Sequence, residues 1–264
     1  MKKTIFLILS IFMLPLFADG FDARHIPVQD GGPIKPLDTF ARNQLLAIYG
    51  KRSLKSEKQP AIQWMLNLLS DPKSGFNQKV FNLRNPQVVQ SLGLEWDTEH
   101  KYSYHDILGG FENQQEYLTQ IYEMNEKDLS IVEFQIKELH TNFQKFANMW
   151  WYLKIIPPTS LHPNDPWISP WEVESEATLT EDQRSLLFNF LDYLNGMIEG
   201  NSQQMTTAME NYYFQLQGNY RHLIDINRLQ IETKYNELNI FYLSVAFYIL
   251  SFLFHASIKF SIRC

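Results

Sequence analysis

The histidines and the single cysteine are the side chains best able to bind a metal or haem. The 264-residue chain has one cysteine, Cys264, which excludes an internal disulfide, a cysteine-rich zinc site and haem attachment through a C-x-x-C-H motif. No two of its seven histidines stand four residues apart, the spacing of a helical metal pair. A lone histidine can supply one axial ligand of haem iron, so His25 and His162 are candidates, against the simpler interpretation of a surface or capping histidine. His255, near the end of an apolar C-terminal run, is a candidate for contact with haem or a partner protein.

Motifs of enzymes are missing from the sequence. It contains no G-x-x-x-x-G-K-[ST] phosphate loop, no G-x-S-x-G nucleophile turn and no H-E-x-x-H zinc motif. Its carboxylates lie in helical stretches, where such groups are usually solvated. We therefore expect a protein that is not an enzyme, that holds no metal and that binds no cofactor by itself.

Composition and charge indicate a folded, acidic protein. Hydrophobic residues make up 45% of the chain and charged residues 20%, as is typical of globular domains. There are 23 basic and 29 acidic residues, which gives a formal net charge of -6. Because nucleic-acid binding generally needs a basic face, we expect no nucleic-acid partner.

The N-terminus has the pattern of an export signal. Met1-Lys2-Lys3 is followed by an apolar run from Thr4 to Phe17 and then by small residues. Residues 1–20 are therefore predicted to be a signal peptide, cleaved after Ala18 or Gly20. An uncleaved anchor is the alternative, although the run is short for a membrane span.

The C-terminus has the pattern of a membrane span. The run from Ile240 to Ile258 is long enough for a helix to cross the hydrocarbon core. Lys259 and Arg263 follow it, and basic residues favour the cytoplasmic side, so residues 259–264 are predicted to be a cytoplasmic tail. Residues 21–239 would then be a periplasmic-side domain, anchored by one span in the bacterial inner membrane.

Between the two ends the pattern is helical. We expect an all-α fold, an irregular helical exported domain with one C-terminal transmembrane helix. Five prolines between Ile155 and Trp171 predict an extended connector between two helical halves. Core packing is expected for Trp150 and Trp151, whereas core and haem-stacking roles stay open for Trp167 and Trp171. The predicted helices are Phe40–Tyr49, Ala61–Leu69, Ser130–Trp151, Glu181–Ile198, Gln203–Leu216 and Tyr220–Asn236.

The most specific segment of the chain is His25–Arg42, with the sequence HIPVQDGGPIKPLDTFAR. Gln29-Asp30-Gly31-Gly32 is typical of a turn, and Pro33 and Pro36 impose extended backbone. Asp38 or Thr39 can cap the helix that follows. These residues predict a tight, proline-fixed approach to the first helix.

The same segment resembles the exported region that precedes the haem-handling membrane core in CcsA/ResC-type cytochrome c biogenesis proteins (System II). Pro33 stands where these proteins commonly have Arg. The family's tryptophan-rich haem-binding segment and its flanking membrane histidines would lie beyond Cys264, so none of its haem ligands is assigned to this chain. The resemblance rests on Ile26-Pro27-Val28-Gln29, Ile34-Lys35-Pro36-Leu37-Asp38-Thr39 and Ala41-Arg42, and continues in Ile156-Pro157-Pro158, Pro166-Trp167 and Glu232-x-x-Tyr235-Asn236 before Phe241.

The resemblance implies a membrane-anchored accessory part of a cytochrome c maturation system, supporting haem attachment outside the cytoplasmic membrane. The implied partners are a multi-span CcsA-type haem-handling protein and apocytochrome c, and haem would be met only through that complex. The alternative is a membrane-anchored helical sensory or ligand-binding module, for which residues 259–264 are too short to be an output domain. The residues expected to form a docking surface are Gln29, Asp30, Lys35, Pro36, Asp38 and Thr39.

Overall fold

The computed structural model describes residues 21–54, 59–160, 162, 165–238 and 240–261, and this part of the chain is mostly helical, as predicted. Its α-helices are α1 (Leu37–Tyr49), α2 (Ala61–Ser70), α3 (Pro72–Asn77), α4 (Pro86–Ser91), α5 (Tyr104–Glu112), α6 (Gln115–Glu123), α7 (Ile131–Ala147), α8 (Met149–Tyr152), α9 (Glu181–Glu199), α10 (Ser202–Asn219), α11 (Ile226–Leu238) and α12 (Ile240–Ser261).

Short antiparallel strand pairs accompany the helices, which the all-α prediction did not include. Strands of two or three residues are too short to show the alternation by which a sequence reveals a strand. The pairs are β1 (Pro27–Gln29) with β2 (Ile34–Pro36), β3 (Ser53–Leu54) with β4 (Gln59–Pro60), and β5 (Phe81–Asn82) with β6 (Lys101–Tyr102).

The chain divides into two compact units, one of residues 21–224 and one that contains the residues from Asp225 onward. The predicted outer domain, residues 21–239, is longer than the first unit by the whole of α11. The C-terminal unit consists of α11 and α12, and α12 covers the predicted span. Among the described residues, no helix has the length and apolar character required to cross a membrane. The predicted signal peptide and the last three residues of the predicted tail lie outside the described residues.

Capping residues fix the ends of the long helices where the sequence predicts them. Helix α1 ends at Gly50, whose φ of 74° is in the left-handed region that favours glycine. Thr180 and Gln183 form a reciprocal capping box at the start of α9, and Ser130 and Glu133 form another at α7. These caps confirm the predicted starts of both helices.

Two predicted helices have different bounds. The predicted helix Ser130–Trp151 is interrupted at Asn148, whose side-chain amide donates to the Gln144 carbonyl at 2.8 Å. The backbone of Asn148 leaves helical geometry, with φ of -113° and ψ of 21°, so α7 ends and the short α8 begins. The predicted helix Tyr220–Asn236 begins instead at Ile226, because residues after Tyr220 form a turn.

Aromatic rings fill the core between α1, α2 and α7. Trp64 is fully buried, and its ring stacks on Phe146 with centroids 6.3 Å apart. The Trp150 ring lies 5.6 Å from Phe76, so core packing is right for this residue. Core packing is wrong for Trp151, whose side chain is 47% exposed because α8 turns it away from the interrupted stripe of α7.

Helices α9 and α10 form a close helical hairpin in the second half of this unit. A Cβ on Gly196 would meet the Met205 side chain at 2.9 Å, so glycine permits the close approach. On the inner side of α10, the fully buried Tyr212 donates its hydroxyl to the Ile155 carbonyl at 3.3 Å. The hairpin therefore supports the proline-rich segment that begins at Ile155.

Candidate functional site: the hairpin and the connector

The predicted turn is a β-hairpin, with β1 and β2 as its strands. Its tip, defined here as residues 30–35, closes through a hydrogen bond from the Asp30 amide to the Pro33 carbonyl at 3.1 Å. Gly31 and Gly32 have φ values of 65° and 107°, which a side chain would make unfavourable. Proline and glycine thus determine the geometry of an exposed tip.

Gln29 joins this hairpin to the connector, Ile155–Trp171, more than 130 residues away. Its side-chain amide donates to the Asp165 carbonyl at 3.1 Å, and its side-chain oxygen accepts from the Trp167 amide at 2.9 Å. The Gln29 backbone amide also donates to the Lys154 carbonyl at 3.0 Å. Gln29 therefore holds the connector, rather than offering its amide to a partner.

The connector folds into its own closed loop. Ile156 and Ile168 exchange backbone hydrogen bonds of 3.1 and 3.0 Å as an antiparallel bridge. The Gln183 side chain, from the first turn of α9, donates to the Pro157 carbonyl at 2.8 Å. The described residues of the connector form no α-helix, as predicted, but the antiparallel bridge folds the segment back on itself, so the prediction that it runs extended is wrong.

Charged groups at this junction are paired. Lys35 donates to the Asp30 carboxylate at 2.8 Å, and both side chains are partly exposed at the tip. Lys154 pairs with Glu172 beside the connector. Burial would raise the pKa of the Glu172 carboxyl, but hydrogen bonds from Lys154 and from the Ser169 amide outweigh it and lower that pKa below its ordinary value.

The predicted docking residues in the first turn of α1 are less accessible. Asp38 is only 1% exposed and accepts from the Arg42 guanidinium at 2.7 Å, one helical turn away. Pro36 is buried and is the N-cap of α1, with no side-chain capping bond, while Thr39 is half-buried. The predicted capping by Asp38 or Thr39 is therefore wrong: proline lets the helix begin at Leu37, three residues before the predicted start, and places both residues inside its first turn. Of the six predicted residues, Asp30 and Lys35 offer charge at the surface, and the others have mainly structural surroundings.

Sequence reasoning missed the partners that fix the hairpin. Asp165, Trp167 and Lys154 carry no local signal for this role, because all three contacts use only their backbone atoms. The prolines around them indicated an ordered connector, but not where it lies. The signal in the sequence is Gln29 itself, because a glutamine side chain at the end of a strand has both a donor and an acceptor for backbone groups of another segment.

The candidate haem ligands have different surroundings. His25 is 2% exposed, and its Nδ1 accepts from the Asp22 amide at 3.2 Å in a capping box, the simpler role considered for it. His162 lies exposed in the connector, and His255 is exposed on α12. The described residues include no group of three or more His, Cys, Asp or Glu that could hold a metal ion.

The second tryptophan pair has a packing role. Trp167 is 2% exposed, and Trp171 meets Phe190 of α9 edge-on with ring centroids 6.4 Å apart. These positions favour core packing over a haem-stacking platform. The junction as a whole can hold a surface in a fixed shape, with an ion pair at an exposed glycine tip.

Compared with known proteins, the chain matches no family model and no curated protein sequence.

Proposed function

We propose that this chain is the membrane-anchored accessory part of a cytochrome c maturation system, acting outside the cytoplasmic membrane beside a multi-span CcsA-type haem-handling protein. The observation behind this proposal is a convergence of distant segments. Gln29, in the first segment of the family resemblance, hydrogen bonds directly to Trp167 in a later segment. The Ile156-Pro157-Pro158 segment lies in the same connector. Their contact supports treating the segments that carry the resemblance as one structural unit rather than as scattered short matches.

The hairpin tip is the proposed docking surface for the partner complex and its apocytochrome. Gly31, Gly32 and Pro33 are exposed, and the Asp30–Lys35 pair fixes one charge of each sign beside them. A rigid tip loses little conformational entropy on binding. Polar groups of fixed sign also select the partner's orientation. This arrangement suits recognition better than bond making.

The C-terminal helix is the proposed anchor. Its exposed side chains include Phe247, Tyr248 and Phe252, at 43%, 78% and 73% of their full area. A continuous apolar surface of this kind is unfavourable in water and marks contact with lipid or protein. We place it in the membrane against the spans of the haem-handling partner, with His255 toward that partner because a polar ring is costly in hydrocarbon. The signal peptide would be removed on export.

Co-purification tests whether the anchor binds a haem-handling protein. The native chain, extracted from its own membranes, should retain a multi-span haem-containing partner. A variant in which residues 240–258 are replaced by an unrelated apolar span of equal length should stay in the membrane fraction but lose the partner. Equal retention by both chains, or no such partner with the native chain, contradicts the proposal.

A further inference from the structure

A cleft of about 490 Å³ is lined by residues between Lys79 and Asn113, a part of the sequence separate from the connector. One wall is the loop from Leu92 to Asp97, and the other is the C-terminal half of α5. The volume is in the range of small-ligand sites. None of the residues that line it belongs to the hairpin or the connector.

Trp96 stands at this cleft as an exposed aromatic platform. Its side chain is 45% exposed, and its ring lies 4.7 Å from the ring of His100. The loop that carries it is held by Tyr102, whose hydroxyl donates to the Glu95 carbonyl at 2.9 Å and accepts from the Asp97 amide at 3.0 Å. A large apolar ring is thus kept at the surface by specific contacts instead of folding into the core.

Three of the residues that line the cleft are glycines, which place no side chain in it. A Cβ on Gly93 or Gly109 would meet no atom within 4 Å, so these glycines leave backbone open to the cleft. Gly110 instead permits close packing. A Cβ at this position would come within 2.9 Å of the Leu92 carbonyl oxygen, so glycine lets α5 approach the loop. The backbone amides of Gly93 and Leu94 are used within the loop, so the polar groups offered to a ligand are those of side chains.

The polar groups in the cleft include both donors and acceptors. Lys79 pairs with Asp97 at 2.7 Å, and Asp106 accepts from the Ser103 hydroxyl and amide at 2.8 Å. Asn113, at the end of α5, is exposed and adds an amide. The carboxylates alone would favour a cation, but Lys79 already places a positive charge among them. Mixed donors and acceptors beside an aromatic face instead suit hydroxyl groups.

We propose that this cleft binds a neutral saccharide. The apolar face of a sugar ring would stack on Trp96, as flat apolar surfaces do on exposed aromatic side chains. Its hydroxyls would donate to Asp97 and Asp106 and accept from Lys79 and Asn113. The site would add carbohydrate recognition to the chain, and it does not depend on the proposed role in cytochrome maturation.

Calorimetric titration of the full chain tests this site, with chitotriose and maltotriose as neutral probes and tri-lysine as a cationic one. The chain should be held in lipid nanodiscs, because detergents with sugar head groups would compete. Saturable binding of at least one neutral probe is expected. Trp96→Ala should weaken it about tenfold or more, as loss of a central aromatic contact commonly does. Trp151→Ala is the matched control, since Trp151 has a similar exposed fraction, 47%, on another element.

A second variant covers the case in which Trp96→Ala disturbs folding. Asn113→Ala removes an exposed amide from the opposite wall and should also weaken the neutral probe, while Trp151→Ala leaves its affinity unchanged. The proposal is overturned if neither sugar binds saturably at millimolar concentration. It is also overturned if both cleft variants bind as the parent chain does, or if tri-lysine displaces the sugar from the site.

Discussion

Gln29 sets the position of the hairpin through a single side chain. Both ends of its amide are used, one by the Asp165 carbonyl and one by the Trp167 amide. Loss of the amide would leave buried polar groups unsatisfied, which costs more than a hydrogen bond contributes when it is present.

Replacing Gln29 by alanine should lower the free energy of unfolding by about 1–3 kcal/mol, from two lost hydrogen bonds and the polar groups left behind. Gln63→Ala is the matched control. Gln63 is exposed on α2 and bonds only Asn67 one turn away, so its loss should change stability by about 0.5 kcal/mol or less. Urea unfolding followed by circular dichroism measures both. Equal changes in the free energy of unfolding for the two substitutions would show that the Gln29 side chain does not hold the connector in place.

His140 gives the molecule a pH-dependent residue outside the hairpin. Its ring packs edge-on against Phe111 at 4.9 Å, and its Nδ1 lies 2.9 Å from the Tyr122 hydroxyl. Burial lowers the pKa of this histidine below its ordinary 6.5. The unfolded chain therefore binds a proton more readily, and stability falls as the pH drops through 6.5 toward the lower folded pKa.

The histidine variant His140→Gln should flatten that part of the stability curve. The acid loss below it, from carboxylates such as Glu172 whose pKa is lowered by pairing with Lys154, should remain. Thermal unfolding of the full chain across pH 3 to 8 covers both the histidine and the carboxylate ranges, with His162→Gln, an exposed histidine, as the control. An unchanged slope in His140→Gln would assign the pH dependence to other groups.

At the scale of elements, the β-hairpin has two parts with different roles. Gln29 holds the connector, whereas the tip is the proposed docking surface. The Asp30–Lys35 ion pair connects the two ends of the tip across 2.8 Å and is partly exposed. Partly exposed pairs contribute little to stability, about 1 kcal/mol or less. Their charges can still matter to a partner, because mismatched charges across an interface are unfavourable.

The double variant Asp30→Lys with Lys35→Asp should keep an ion pair and invert the charges that a partner meets. We expect little change in the unfolding midpoint and a several-fold drop in c-type cytochrome maturation in cells. The charge swap in Glu99 and Lys101, Glu99→Lys with Lys101→Glu, serves as the control because it inverts an ion pair of 3.0 Å outside both the hairpin and the Trp96 cleft. If the tip variant matures cytochromes as well as the parent chain, the tip is not the docking surface.

Local rules account for the elements that the sequence predicted correctly. The bounds of α1 and α9 follow from Gly50 and from the Thr180–Gln183 box, which act within one helical turn. The break at Asn148 was missed because asparagine is also compatible with a helix interior: Asn189 makes the same side-chain bond to a carbonyl four residues back, and α9 continues through it. Gln29 was predicted as a docking residue, whereas its hydrogen bonds to the connector and the exposure of Trp96 were missed, because both arise only when distant segments fold together.

At the scale of the whole molecule, the two units have different chemical character. The unit of residues 21–224 is a helical body with a buried apolar core, and it carries both the hairpin tip and the Trp96 cleft. The unit from Asp225 ends in α12, whose described side chains are mostly exposed and apolar. This division fits a chain that presents a recognition surface on one unit and an anchor on the other.

The central claim is that this chain supports maturation of c-type cytochromes, and deletion of its gene tests that claim most directly. Haem-stained gels of membrane and periplasmic fractions should lose covalently bound haem, while the spectra of b-type cytochromes stay unchanged. Expression of the native chain from a plasmid should restore the haem-stained bands. Normal c-type bands in the deletion strain would contradict the account, wherever the chain is located.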